Sequence, residues 1–426
     1  MDLLRGLLGM ARLRVPLALA LLAVTAVACS DHPLTGPEAQ SDGGPQELIL
    51  GEGSDAIKVM TWNVYVGANL DPLLVVPPEQ IPFEVTKAFQ QLLSTNFPER
   101  ARAIARQVAQ SPPHLIGLQE ISEVRLQLRG DFFEDPTPNA SYLLYDYLDI
   151  LMSALRARGL NYRVAGVIEN ADVELPMVVS ADPLLFSDVR LTDFDVVLAR
   201  WDVGIEDVDA ANYVMHLQVP VAHPVDPNFA IDVKRGYVSV DARVKGKTYR
   251  FANTHLEPVQ LTDEQCADLG IPPQYCPEFF QRAEAMELVA AVQTDAYPVI
   301  IVGDLNTHGP TPTVPDPGPA YQYLVAPTAV GGAGLVDTWF ANLLPPGPHD
   351  GLTNPHDADL RNATVNFTKR IDLILVNTPP SSVHAWIVGD EQRDRTFPQW
   401  LWPSDHAGVV GALQFPLSGP LALGDE

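Results

Sequence analysis

Carboxylate, amide and imidazole side chains stand at the ends of several apolar, β-rich runs of this 426-residue chain. A buried strand that ends in a loop is a place where a rigid scaffold presents reactive groups. Six short clusters have this character: Trp-Asn, Gln-Glu, Thr-His-Leu, Gly-Asp-Leu-Asn, Arg-Ile-Asp and Ser-Asp-His. Their polar members are Asn63, Glu120, His255, Asp304, Asn306, Asp372, Asp405 and His406. These eight residues are the candidate site residues.

Each cluster by itself has an ordinary structural explanation, because Asn caps turns, acids pair with arginines and an Asp-His dipeptide often lies in a loop. The combination favours chemistry. Mg²⁺ prefers carboxylate and amide oxygens, an attacking water must lose a proton, and charge that grows on phosphoryl oxygens needs fixed donors. The residue types together therefore favour metal-dependent hydrolysis of a phosphate ester.

Apolar periodicity indicates the elements that must position these residues. Strands are predicted at residues 57–66, 114–118, 162–168, 194–198, 213–219, 237–244, 248–254, 299–302, 371–376, 385–388 and 407–415. One or two helices are predicted within residues 82–110, and one each at 142–158 and 277–294. A hairpin at Lys245-Gly246-Lys247 and the loose alternation of strands and helices favour mixed sheets that pack together between helices.

The six clusters, in their order along residues 57–415, resemble the motifs of the endonuclease/exonuclease/phosphatase superfamily. That group includes pancreatic-type deoxyribonucleases, abasic-site endonucleases, inositol-polyphosphate 5-phosphatases and neutral sphingomyelinases. The resemblance implies an α/β (α+β) fold of the deoxyribonuclease I type. In this four-layer αββα sandwich, two mixed β-sheets pack face to face with flanking helices, and the site lies at one edge.

The resemblance also implies a metal site. Glu120 is then the principal ligand, Asn63 supports the metal or the phosphate, and Asp405 binds the metal or positions the neighbouring imidazole. The cofactor expected is Mg²⁺, with Mn²⁺ or Ca²⁺ as alternatives.

The catalytic roles implied by the family fall on five residues. Asp304 resembles the group that orients or deprotonates the attacking water, and Asn306 the neighbour that binds phosphoryl oxygens. His406 resembles the imidazole at the scissile phosphate, held by Asp372. His255 resembles the second imidazole, which stabilises the transition state or protonates the leaving group.

Two further positions stay open at the level of sequence. Arg235 either contacts the phosphate or simply begins a strand. A partner that orients His255 is expected near Asn170, Asp172 or Glu174, and nothing in the sequence chooses among the three.

The N-terminal 28 residues are predicted to be an export signal, because three arginines precede a short apolar run that ends in small residues. Ala26-Val27-Ala28-Cys29 resembles a bacterial lipobox, so we expect either a lipoprotein anchored at Cys29 or an ordinary cleaved signal. Residues 29–54 are expected to form a flexible tether, 55–416 the catalytic domain and 417–426 a C-terminal tail. The expected location is the periplasmic or extracellular side of a membrane, or the medium.

The formal net charge of −26 argues against the basic surface that binders of nucleic acid normally have. The expected partner is a phosphate ester, either nucleic acid or a phospholipid or phosphoinositide head group; no obligate protein partner is evident. A sphingomyelinase-like phospholipase C is one alternative, and a catalytically inactive surface-binding protein on the same fold is another. Cys266 and Cys276 favour a disulfide over two free thiols, as export would permit.

Overall fold

The computed structural model describes residues 55–221, 223–342 and 350–416. The predicted signal, Cys29, the tether and the C-terminal tail lie outside these residues, and the predicted domain bounds stay a prediction. The strands are β1 (Ile57–Asn63), β2 (Leu115–Gln127), β3 (Tyr142–Asp146), β4 (Tyr162–Ala181), β5 (Leu184–Arg200), β6 (Gly204–Asn212), β7 (Leu217–Pro220), β8 (Ala230–Val233), β9 (Gly236–Val244), β10 (Lys247–His255), β11 (Val299–Asp304), β12 (Val336–Asp337), β13 (Asp372–Val376), β14 (Ser382–Val388) and β15 (Gly408–Gln414). The α-helices are α1 (Ile81–Ser94), α2 (Phe97–Gln110), α3 (Tyr147–Arg156), α4 (Asp263–Asp268), α5 (Phe279–Val292) and α6 (Pro319–Val325).

Two large mixed sheets form the centre of the fold. The first sheet has the order β14-β15-β1-β2-β5-β4, with β3 paired to β2, and the second has the order β12-β13-β11-β10-β9-β6. Within them β1 runs parallel to β2 and β10 parallel to β11, while the other pairs are antiparallel. Strands β7 and β8 form a small separate sheet.

The apolar core lies in three layers, as strands with two buried faces require. Between the sheets, Val59 and Val197 of the first pack with Val240 and Phe251 of the second. The outer face of the first sheet packs on α2 and α3, and that of the second on α5 and α6. The predicted αββα sandwich is therefore confirmed.

Several element bounds differ from the prediction. The predicted helix at residues 142–158 begins as β3, and α3 starts only at Tyr147, after Asp146 caps it by accepting from the backbone N–H of Asp149. The strands predicted at 162–168 and 194–198 are parts of the long hairpin β4–β5. The predicted strand at 213–219 is reduced to β7, while β6 was not predicted at all.

Cys266 and Cys276 form the expected disulfide, with an S–S distance of 2.05 Å, between α4 and the segment before α5. Across the described ranges, no helix combines the length and the apolar character that crossing a membrane requires.

Candidate active site

Three candidate residues lie side by side at one end of the second sheet. In the parallel pair β10–β11, His255 is the register partner of Asp304, and in the antiparallel pair β11–β13, Asp304 is the partner of Asp372. Adjacent strands are about 4.8 Å apart. Residues far apart in sequence therefore form a row at this sheet end, and all three side chains are buried.

The first sheet contributes Asn63, at the end of β1, and Glu120 in β2. Glu120 directly follows Gln119, which is the register partner of Asn63. The pairing of β2 with β5 shifts between Leu118 and Ile121, and Glu120 has a φ of 58°. This bulge turns the Glu120 side chain out of the regular alternation of the strand. Its carboxylate accepts from the backbone N–H of Val66 at 2.6 Å.

The amide of Asn63 connects the two sheets. Its Nδ2 donates to Glu120 Oε1 at 2.9 Å and to Asp304 Oδ2 at 3.1 Å. Its Oδ1 accepts from the backbone N–H of Tyr65 at 2.9 Å, which fixes the orientation of the amide. The amide of Asn63 therefore contacts both Glu120, a metal-site candidate of the first sheet, and Asp304, the water-activating candidate of the second.

A second amide contact joins the sheets directly beneath the site. Gln119 Nε2 donates to Asn253 Oδ1 at 2.6 Å, and Asn253 Nδ2 donates to the carbonyl of Leu118 at 2.9 Å. Both side chains are buried. Gly117 leaves the room they need, because a Cβ at that position would lie 2.5 Å from Asn253 Oδ1.

His406 is held in a fixed orientation above the second sheet. Its Nδ1 lies 2.8 Å from Asp372 Oδ2, and its Nε2 lies 3.7 Å from Asp304 Oδ2 and 4.0 Å from Asp405 Oδ1. The backbone N–H of His406 donates to Ser404 Oγ, which in turn donates to the carbonyl of Asn63 at 2.7 Å. The loop before β15 is thus tied to the end of β1.

Burial alone would lower the pKa of His406, but the carboxylates of Asp372, Asp405 and Asp304 outweigh burial and raise this pKa well above its ordinary value. For Asp304, burial raises the pKa, although the positive charge of His406 opposes that rise. The carboxylates around His406 therefore favour its protonated form.

His255 has the opposite electrostatic character. Its Nε2 lies 3.5 Å from Asp304 Oδ2, and its Nδ1 lies 3.2 Å from Arg235 Nη1. Arginine only donates hydrogen bonds, so Nδ1 accepts and the proton of the neutral ring sits on Nε2. Burial, then the charges of Arg235 and His406, lower the pKa of His255 well below its ordinary value.

The group that orients His255 is Arg235, which also pairs with the buried Glu257 at 3.2 Å. The expectation of a partner near Asn170, Asp172 or Glu174 is wrong. Asp172 pairs with Arg190, Glu174 accepts backbone N–H groups of residues 139 and 140, and the side chain of Asn170 donates to Asp193. The Arg-Gly sequence before β9 was the available signal, although it suits an ordinary strand start equally well.

Asn306 lies in the turn after β11, with a φ of 45°. Its backbone N–H donates to Asp304 Oδ1 at 3.1 Å, and its Nδ2 donates to the carbonyl of Leu256 at 2.8 Å. In this arrangement Asn306 fixes the turn and the Asp304 carboxylate.

Sequence reasoning missed Asn354. Its side-chain amide lies 2.8 Å from His406 Nε2, on the side of the imidazole away from Asp372. When the ring is protonated, this amide must accept from Nε2 through its oxygen. The preceding residue, Thr353, accepts two backbone hydrogen bonds. Its carbonyl accepts from the N–H of Ala407, and its Oγ1 accepts from the N–H of Asp372 at 3.3 Å. An Asn-Pro pair in a loop has no periodicity that could have shown this contact.

Comparison with known proteins agrees with this geometry. The sequence model of the Endonuclease/Exonuclease/phosphatase family matches residues 60–406, which is most of the chain. The chain belongs to this family. No curated protein matches the chain.

Solved structures of family proteins are also similar to the chain at low identity. A mannosyl-6-phosphatase from Bacteroides thetaiotaomicron is 16% identical, with a TM-score of 0.47 and coverage of 84% of this chain and 100% of that one. A family protein from Leptotrichia buccalis is 16% identical, with a TM-score of 0.46 and the same coverage. TDP2 from Caenorhabditis elegans, in truncated form, is 16% identical, with a TM-score of 0.41 and coverage of 84% and 98%.

The donor set of the site fits the divalent metal that the endonuclease/exonuclease/phosphatase family typically uses. Asp304, Asp372 and His406 each offer a ligand atom, and these atoms lie within 4.8 Å of one another. Beside them, burial raises the pKa of Asp405 to about 7, and the charge of Glu120 contributes to that rise while His406 opposes it. Carboxylates that raise one another's pKa in a buried site favour a bound cation.

Proposed function

We propose that this chain is an exported, Mg²⁺-dependent phosphoesterase in which a metal-activated water attacks phosphorus. The observation that carries the proposal is the convergence on Asp304. Its Oδ2 lies within 3.1 to 3.7 Å of the amide of Asn63 and of the imidazoles of His255 and His406. Three groups that suit a phosphate therefore surround one carboxylate oxygen.

Two neighbouring sets of residues could hold the metal. Glu120, Asn63 and Asp405 form the set expected from the family resemblance, with Glu120 and Asp405 as carboxylate ligands and Asn63 as a support that donates to Glu120. We favour this set because Glu120 and Asp405 are close enough for the charge of Glu120 to raise the pKa of Asp405. A bound Mg²⁺ supplies a Lewis acid that neutralises charge on the phosphoryl oxygens and lowers the pKa of water. Mg²⁺ prefers oxygen ligands, which carboxylates and amide carbonyl groups provide.

The chain's own residues then divide the remaining work. Asp304 is the general base, because it is buried, has a raised pKa and is fixed by the backbone N–H of Asn306. His406, held as a cation by Asp372, meets the negative charge that grows on the phosphoryl group. His255, neutral with its proton on Nε2, donates a hydrogen bond from the opposite side.

The substrate is a phosphodiester or phosphomonoester. The net charge of −26 disfavours a long nucleic acid and favours a small or lipid-borne ester. A sphingomyelinase-like phospholipase C is the second candidate, supported by the predicted export and by the Asn-Thr-His-Leu cluster at His255.

The proposed location is outside the cytoplasm, on a membrane to which a lipid at Cys29 anchors the chain. Cell fractionation tests this proposal. Cys29→Ser is expected to release the mature protein from the membrane fraction, and a variant that stays as tightly bound as the wild type would remove the anchor.

A substrate panel tests the activity. Wild type is assayed on DNA, a phosphoinositide and sphingomyelin with Mg²⁺, and again with excess EDTA. We expect turnover of at least one substrate, its loss in EDTA, and a fall of about 10³-fold in Glu120→Gln, because the principal metal ligand is removed.

Glu123→Gln is the matched control, since Glu123 lies on the same strand but pairs with Arg125. It should keep the wild-type rate. Activity that persists in excess chelator contradicts the metal role, and a folded wild type that turns over nothing on the panel favours the inactive surface-binding protein.

A further inference from the structure

A second group of acids lies apart from the residues of the proposed active site. It consists of Asp131 in the loop between β2 and β3, Glu174 in β4 and Asp188 in β5. Each residue offers one carboxylate oxygen, and the three oxygens lie within 4.8 Å of one another. Asp188 is 0% exposed and Glu174 is 3% exposed, while Asp131 is half-buried.

Backbone N–H groups hold one oxygen of each buried acid. Asp188 Oδ2 accepts from the N–H groups of Asp131 at 2.7 Å and Phe132 at 3.0 Å. Glu174 Oε2 accepts from the N–H groups of Asn139 at 2.7 Å and Ala140 at 2.8 Å. These contacts fix the position of both carboxylates, and for Asp188 they oppose the effect of burial, which raises the pKa of this group to about 6.

The second oxygen of Asp188 lacks a partner. Asp188 Oδ1 is buried and has no hydrogen-bond partner. Within the described residues, no Lys, Arg or His forms an ion pair with Asp131, Glu174 or Asp188. The charge of Arg190 acts on Glu174 without forming an ion pair. Burying Asp188 without a paired counter-charge is costly, so a bound cation would stabilise the cluster.

We propose that Asp131, Glu174 and Asp188 bind a second divalent cation, Ca²⁺ by its chemistry. The ligands are all oxygens, and Ca²⁺ takes such ligands at about 2.3 to 2.6 Å in irregular geometry, so that two oxygens on opposite sides of it are about 4.6 to 5.2 Å apart. The three carboxylate oxygens all lie within 4.8 Å of one another, so one cation could contact all of them. Mg²⁺, at about 2.1 Å, needs a tighter octahedron.

The cation has a consequence for the groove beside the active site. The loop that carries Asp131 continues to Pro136 and Pro138, and these residues line a groove of about 340 Å³ together with Asn170 and Lys234. Lys234 immediately precedes Arg235, the partner of His255. Joining the loop to β4 and β5 through a cation fixes one wall of this groove, independently of the metal proposed at Glu120.

Calcium binding is measured by isothermal titration calorimetry on the Glu120→Gln chain, which weakens the proposed catalytic metal site. One Ca²⁺ is expected to bind, and adding Asp188→Asn is expected to weaken that binding at least tenfold while the amide keeps the shape of the side chain. Asp172→Asn is the matched control, because Asp172 lies on β4 but is paired with Arg190. Ca²⁺ should also raise the Tm of the parent chain and leave that of the Asp188→Asn chain unchanged.

If Asp188→Asn does not fold, Asp131→Asn tests the same point at the half-buried member of the cluster. The proposal is overturned if the folded parent binds no Ca²⁺ at millimolar concentration, or if neither substitution weakens binding. Failure of the proposed phosphoesterase activity would leave this calorimetric result unaffected, so the two proposals fail separately.

Discussion

The two imidazoles of the site approach the same oxygen, Asp304 Oδ2, and differ in charge. His406 has carboxylates on both sides, and their attraction outweighs burial and keeps it protonated. His255 has a guanidinium at its Nδ1, and burial together with that charge keeps it neutral. Residue type alone therefore assigns neither role, because the second contact of each ring decides which one is the cation.

Of the two imidazoles, the larger effect is expected at His406, from removing the carboxylate at its Nδ1. Asp372→Asn takes away the principal charge that raises the pKa of His406, so this pKa falls and the imidazolium is lost at lower pH. The alkaline limb of kcat/KM should move to lower pH, with a loss of about 10- to 100-fold at pH 8 and a smaller loss at pH 6. A pH–rate profile on the substrate found in the panel measures this shift.

Asp337→Asn serves as its control, because Asp337 is a buried acid of the same sheet that pairs with Arg370. It is expected to lower stability without moving the profile. If the pH–rate profile of Asp372→Asn coincides with that of the wild type, the proposed difference in charge between His406 and His255 is contradicted.

A smaller effect is expected at the other ring. Arg235→Met removes the positive charge beside His255, so the pKa of His255 rises toward its ordinary value and the ring becomes protonated at a higher pH. The acidic limb of the profile should move to higher pH, and kcat should fall by about tenfold because the tautomer is no longer fixed. Arg235→Lys keeps the charge and should leave the acidic limb near its wild-type position.

Arg190→Met is the matched control for Arg235→Met, since Arg190 is paired with Asp172 on the half-exposed face of β5. Thermal unfolding of each variant separates the loss of the Glu257 partner from the change at His255. Equal shifts of the acidic limb in Arg235→Met and Arg235→Lys would show that charge is not the cause.

The strand-end motifs allowed much of the site to be predicted. Apolar runs that end in Asn63, His255 and Asp304 became β1, β10 and β11 with nearly the expected bounds. The parallel strands β10 and β11 end at the same side of their sheet, which brings His255 and Asp304 together. Packing of the first sheet on the second places Asn63 within hydrogen-bond distance of Asp304. Local patterns therefore singled out residues that the structure brings together, while their membership in a functional site and their roles stay predictions.

Contacts between distant loops could not be predicted in the same way. Arg235 and Asn354 reach the imidazoles through loop conformations that have no periodic signal in the sequence. The full length of the β4–β5 hairpin was missed because acids such as Glu174 and Asp188 take buried positions there, so the alternation of apolar and polar residues that marks a strand is weak.

The buried amides of Gln119 and Asn253 have a consequence for how a substrate enters. Each sheet supplies half of the reactive groups. If one sheet moved against the other, Gln119 and Asn253 would lose their hydrogen bonds while still buried between apolar side chains, which is costly. The spacing between the halves is thus set before any ligand arrives. The fixed spacing leaves the surface loops as the part of the site through which a ligand would enter and leave.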